Sequence, residues 1–197
     1  MAYSAKQTIK QTFMKLLEEN PFDKITVTDI VQRSNVNRNT FYYHFQDIYD
    51  LLDEILAEEA EKNLNPVNHS TNPDLQNTWI EEFLHSIQFI KENKRLTYHL
   101  YHSVCRNKLE DFLLKILQTS MYEVVKNMSS DLDIEDETLT ILSQFYAFAL
   151  TGVITDWLKN GMNYDLESYV LKIHQILDGN IYASLKRIAE SQSNKVS

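Results

Sequence analysis

The chain is poor in the residues that staple, break or span. Its one cysteine, Cys105, rules out an intrachain disulfide. Three glycines and three prolines in 197 residues leave little material for tight turns, and the abundance of Leu, Ile and Tyr points to helices throughout. No stretch reaches the roughly 18 apolar residues a membrane span needs. The run around Phe145 to Leu150 is soon followed by Gly152, Thr155 and Asp156. The N-terminus lacks a signal-peptide pattern, because Lys6, Gln7 and Lys10 interrupt any apolar core. There is no paired set of Glu-x-x-His motifs from facing helices, no phosphate-binding glycine loop and no nucleophile motif. The hydroxyls of Ser103, Thr138 and Thr140 have no recognisable base beside them. These absences argue against a disulfide scaffold, a membrane protein and an enzyme, and the protein is expected in the cytoplasm.

Positive charge is also scarce, with 19 Lys and Arg against 28 Asp and Glu and a net charge of −9. It is unevenly spread. Residues 1–45 hold six basic side chains (Lys6, Lys10, Lys15, Lys24, Arg33, Arg38) and four acidic ones (Glu18, Glu19, Asp23, Asp29), a net +2 that leaves −11 for the rest. A mildly basic head on an acidic body suits a protein whose head alone approaches a polyanion. A charge of +2 is small, so dimerisation would have to add affinity.

What is present is concentrated in residues 37–45, Asn-Arg-Asn-Thr-Phe-Tyr-Tyr-His-Phe. At about 100° per residue, Phe41 and Phe45 share one helix face, as core residues do. Asn39 and Tyr43 lie opposite, flanked by Thr40, Tyr42 and His44, with Arg38 in the first turn. That outer face offers guanidinium, amide, hydroxyl, imidazole and aromatic groups, the set that reads base edges and holds phosphates. A merely solvated face would more often carry Lys and Glu. Upstream, Val27, Ile30 and Val31 mark a short helix that Thr26 or Thr28 can cap. Asn35-Val36-Asn37 breaks it, Asn35 tolerating a left-handed turn and Asn37 being a favoured N-cap. Two short helices about such a turn make a helix-turn-helix, over about 27–46, whose second helix is the recognition helix. Ser4 to Glu19 forms an amphipathic first helix through Ala5, Ile9, Phe13, Leu16 and Leu17, ended by Asn20-Pro21.

From Thr8 to Leu52 these residues resemble the DNA-binding domain of the tetracycline-repressor (TetR) family, above all in Thr40-Phe41-Tyr42-Tyr43-His44-Phe45. The resemblance implies an all-α fold of about nine helices: a helix-turn-helix head over 1–46 and an effector-binding and dimerisation body over 47–190. Helix 4 (47–63, capped by Asp47) would link the two. It implies a ligand-responsive regulator, most readily a repressor, binding a palindromic DNA operator as a homodimer. By position, Thr28, Thr40, Tyr43 and His44 would approach phosphates, and Arg38, Asn39 and Tyr42 would face bases. Two departures stand out. The turn glycine common in the family is Asn35, and the lysine usual at the start of helix 4 is Ile48, which removes a phosphate contact. A helical enzyme and an adaptor working through protein partners are the competing classes.

Past helix 4, Asn65 to Pro73 reads as a loop. Helices are then expected from Asn72 or Asp74 to Asn93, from Arg95 to Cys105 and from Lys108 to Met128. The last two, about 135–160 and 164–189, carry broad apolar stripes with small residues at Ala147, Ala149, Gly152 and Ala183; one chain could bury these internally, and the family resemblance implies instead that they pair in the dimer. Trp79, Phe83, Tyr98, His102, Phe112, Tyr122, Phe145 and Tyr146 are candidate lining for an effector cavity, although aromatic stripes at helical spacing are more often simply core. Aromatic rings would suit an apolar or planar effector, and an acidic body a cationic one. His99, His102 and Cys105 are metal-binding types, but Cys105 lies about 120° round the helix from His99, and His85 would have to complete the set. No metal or cofactor is expected.

Overall fold

The computed structural model describes residues 4–64 and 79–196. The loop expected at 65–73, the helix start at Asn72 or Asp74, and the side chains of Trp79 and His85 lie outside the described residues. What is described is helical, with ten α-helices and one 3-10 turn.

Helix α1 (Ala5–Glu19) begins where Gln7 N–H donates to the Ser4 hydroxyl at 3.3 Å. It buries Ile9, Phe13, Leu16 and Leu17 along one side and stops at Asn20, whose backbone turns extended before Pro21. A 3-10 turn (Phe22–Lys24) drops Phe22 edge-on against Phe13, ring centroids 6.1 Å apart. Helix α2 (Val27–Ser34) starts with a full capping box. Thr26 accepts from the Asp29 N–H, and the Asp29 carboxylate accepts from the Thr26 N–H. Of the two threonines the sequence offered, the cap is therefore Thr26. Asn35 takes the left-handed conformation at φ 53°, and α3 (Arg38–His44) is capped by Asn37, whose side-chain amide oxygen accepts from Thr40 N–H at 2.7 Å. Phe41 and Phe45 are buried with ring centroids 5.7 Å apart. Asp47 accepts from Tyr49 and Asp50 N–H groups at the start of α4 (Ile48–Leu64).

The remaining helices are α5 (Trp79–Glu92), α6 (Lys94–Tyr101), α7 (Arg106–Met128), α8 (Asp136–Lys159), α9 (Leu166–Leu177) and α10 (Asn180–Val196). The chain forms two compact units, residues 1–65 with 89–112 and residues 66–88 with 113–197. In the first, α1 packs against α2, α3 and α6. Lys10 is only 5% exposed, yet it is charged, because it donates to both Glu54 and Glu58 of α4. Lys6 reaches the same Glu54 at 2.7 Å, and Lys108 of α7 donates to Asp53 at 2.6 Å.

In the second unit, α8 buries Leu150, Ile154 and Leu158, and Ser143 donates to the Leu139 carbonyl at 2.7 Å. The helix ends close to the expected residue 160, with Gly161 in the left-handed conformation at φ 70°. Gly161 N–H bonds to Leu158 O and Met162 N–H to Trp157 O, a Schellman motif. Two expectations need correction. The helix read over 164–189 is interrupted at Asp178-Gly179, where Gly179 takes φ 70°, and becomes α9 and α10. And α8 does have the length and apolar composition that could cross a membrane. Its apolarity comes from two faces at once: the buried inner one, and an outer one carrying Ile141, Phe145 and Phe148 at 60%, 66% and 56% exposure.

Candidate nucleic-acid interface

The outer side of the helix-turn-helix is built by opposition to the core. Fixing Phe41 and Phe45 inward forces Asn39 and Tyr43 outward, since the helix turns about 100° per residue. Tyr43 is 84% exposed, more than any other large hydrophobic side chain among the described residues. Its edge meets the half-buried His44 ring at 4.9 Å. Arg38, Asn39 and Tyr42 are exposed beside it. Arg38 Nη2 donates to the Tyr42 hydroxyl at 3.2 Å. Thr40 is half-buried and donates its hydroxyl to Asn37 at 3.0 Å, so its outward reach is spent partly on the cap. Thr28 is exposed in the first turn of α2. The structure thus brings six of the seven expected contacts onto one short helix and sets Thr28 on the helix before it.

The charge of this head is less available than its count suggests. Arg33 is held bidentately by Glu19, and its hydrogen bonds keep that carboxyl below its usual range. Lys10 is enclosed by Glu54 and Glu58, and Lys6 is paired with Glu54. Lys6 also lies 5.6 Å from the Phe45 ring centroid, at the end of the recognition helix. The sequence reading missed that placement, because only the crossing of α1 over α3 creates it. Ile48 is half-buried, consistent with an apolar residue where the family has lysine.

His99, His102 and Cys105 go to three different surroundings. His99 bonds to the Leu17 carbonyl at 2.8 Å, and His102 is exposed against Tyr98, centroids 4.3 Å apart. Cys105 is 2% exposed, and burial pushes its thiol up to about 11. Among the described residues no group of three such side chains is placed to hold a metal ion.

The candidate effector residues are dispersed in character. Phe83 and Phe112 are buried, whereas Tyr98 is 43% exposed, His102 exposed and Phe145 outward on α8. Tyr122 is half-buried and its hydroxyl bonds to Asp136. Tyr146 is half-buried, and burial raises its phenol above the ordinary range. Among the described residues, two cavities in the second unit can be outlined. One, of about 130 Å³, is lined by Met128, His174, Leu177, Asp178, Gly179, Ile181 and Tyr182. The other is an open groove of about 500 Å³ between Asp156, Tyr164, Asp165, Ser168, Tyr169 and Lys172. Neither is lined by any of the eight expected residues.

Comparison with known proteins agrees with this architecture. Residues 12–55 match the family described as bacterial regulatory proteins, tetR family, and residues 77–179 match a transcriptional regulator C-terminal region of the same family. The chain is 23% identical over 158 residues to the HTH-type dhaKLM operon transcriptional activator DhaS of Lactococcus lactis subsp. lactis, covering 79% of this chain and 80% of that protein. It is 24% identical over 189 residues to a probable acrEF/envCD operon repressor of Escherichia coli, covering 84% and 81%. Among solved structures, the dihydroxyacetone kinase operon activator DhaS superposes with a TM-score of 0.66 at 22% identity, covering 92% of this chain and 96% of that one. A tetR-family transcriptional regulator from Streptomyces coelicolor gives 0.62 at 13% identity, covering 94% and 91%. The chain belongs to the tetracycline-repressor family and is a DNA-binding transcriptional regulator.

Proposed function

We propose that this regulator works as a homodimer that reads a palindromic operator through two copies of α3 and is released or retained by a small effector. The observation that carries this reading is the outer face of α3, where Tyr43 at 84% exposure stands among Arg38, Asn39 and Tyr42 over a buried Phe41. Thr28, Thr40, Tyr43 and His44 approach phosphates, and Arg38, Asn39 and Tyr42 face base edges. Residues 1–46 form the reading head and 47–190 the effector and dimerisation body.

Ile141, Phe145 and Phe148 recur at i, i+4 and i+7 on the outer side of α8, an apolar stripe that a second copy would cover. Phe145 therefore moves from the effector pocket to the dimer face, whereas Phe83, Tyr122 and Tyr146 stay as effector candidates in the body. The regulator acts in the cytoplasm and as a repressor, since occupying an operator blocks transcription without any further surface. Its named relatives include an operon activator and a probable operon repressor. An effector shifts the equilibrium only by its differential affinity for the two head spacings.

Selection of the purified full chain against randomised duplex DNA tests the reading. An enriched palindrome, its preference relaxed at one position per half-site by Arg38→Ala, is the expected result. No enrichment from folded, dimeric protein would replace it with a regulator that needs a partner protein to engage DNA.

A further inference from the structure

Arg38 opens α3 and Tyr42 sits one turn further along the same side. The guanidinium Nη2 donates to the Tyr42 hydroxyl at 3.2 Å, with Cζ 5.6 Å from the ring centroid. The Tyr42 ring in turn meets the buried Phe41 ring edge-on at 5.5 Å. The core thus braces Tyr42, and Tyr42 braces Arg38. Arg33 and Arg106 are instead held by carboxylates, Glu19 and Glu110, while Arg187 donates to the neutral Ser184 hydroxyl at 2.9 Å. A neutral phenol fixes the direction of Arg38 without cancelling its charge.

We propose that Tyr42 is a positioning residue that aims the Arg38 guanidinium at a guanine, so that the pair reads one base pair as a unit. This rests on the reading of Arg38 as base-facing. Guanine presents two acceptors, N7 and O6, on its major-groove edge, and a guanidinium matches them with two parallel N–H groups. Arginine carries five such donors, and the contact with Tyr42 uses one, so a bidentate approach stays open. The Tyr42 oxygen accepts in this contact and keeps its own hydrogen to donate to a neighbouring acceptor. A guanidinium already held in place loses less freedom when it docks, and it docks poorly on bases that do not match its fixed direction.

The test compares wild-type full chain with Tyr42→Phe, Arg38→Ala and the double variant in selection against randomised duplex. Wild type is expected to demand guanine at one position of each half-site. Tyr42→Phe keeps the ring but loses the hydroxyl, and should weaken that one preference by roughly tenfold while sparing the other positions. The double variant should be no worse at that position than Arg38→Ala alone. A Tyr42→Phe loss spread evenly over the site, or additive losses in the double variant, would overturn the positioning role. If Arg38→Ala leaves every base preference intact, the base-facing reading itself fails. A second measurement needs no operator: nitrogen relaxation of the Arg38 side chain in free protein. Its Nε–H should be ordered in wild type and mobile in Tyr42→Phe; equal mobility in both would overturn the proposal.

Discussion

The imidazole of His99 caps the end of a helix that lies 82 residues earlier: its Nδ1 donates to the Leu17 carbonyl at 2.8 Å. A carbonyl only accepts, so Nδ1 carries the hydrogen. Leu17 belongs to the last turn of α1, whose carbonyls have no partner within the helix. A second tie follows, Val104 N–H to the Asp23 carboxylate at 3.4 Å. Together they fasten the α6 region to the end of α1. We expect His99→Ala to cost about 0.5–1.5 kcal/mol, the net worth of one such bond. Hydrogen exchange should quicken in the peptide around residues 16–24 and stay unchanged in α3. Wild-type melting and exchange in the variant would show that the contact holds nothing.

The Lys10 cluster makes the head sensitive to acid. Burial pushes the Glu54 carboxyl up, but hydrogen bonds from Lys10 and Lys6 outweigh it and hold the group below its ordinary value of 4.5. A carboxyl with a depressed folded pKa adds stability above its unfolded value and loses it as pH falls through the folded one. Lys10 is the mirror case. Burial pulls it down, its bonds to Glu54 and Glu58 raise it above 10.5 on balance, and its contribution fades only as pH climbs beyond that. Melting temperature should therefore fall from about pH 5 to pH 3 in wild type and fall less steeply in Glu54→Gln. Parallel curves for the two proteins would remove Glu54 from the account.

These two contacts show where the sequence stops informing. The helix-turn-helix was legible because its signals are local: Asn35 and Asn37 at the turn, and Phe41 and Phe45 one turn apart. The burial of Lys10 and the bond from His99 to Leu17 join residues 44 to 82 positions apart, and no periodicity announces them. Gly179 was visible, but both flanks kept an apolar rhythm, so the pattern ran through a real break. Aromatic spacing marked Phe145 as inward-facing, whereas the structure turns it out; a stripe on a helix apolar on two sides does not say which side is the core.

Salt dependence should be shallow. Lys6, Lys10 and Arg33 are already paired with carboxylates and Arg38 is assigned to bases, which leaves Lys15 and Lys24 of each head for phosphates. For a dimer, log K against log salt should then slope by about −2 to −4. Binding isotherms across a potassium chloride series read this. A slope steeper than about −7 would mean that the ion pairs open on DNA and their cations turn to the backbone.

The outer stripe of α8 should decide assembly. Placing a carboxylate in the middle of it, Phe145→Asp, is expected to leave the monomer folded, because Phe145 is two-thirds exposed. It should shift sedimentation from dimer to monomer and weaken operator binding by far more than any single phosphate contact would. A variant that still sediments as a dimer would move the interface to another face.

Cys105 has a practical consequence. It is the one sulfhydryl of the chain, it is sealed from solvent, and burial keeps it protonated at neutral pH. Thiol reagents should therefore pass over it, and the native sequence can serve as its own blank for labelling. A cysteine introduced at the exposed Gln46, just past α3, would carry the only spin label on each copy. In a dimer the distance between two such labels becomes a ruler laid across the paired heads, to be read before and after each compound tried.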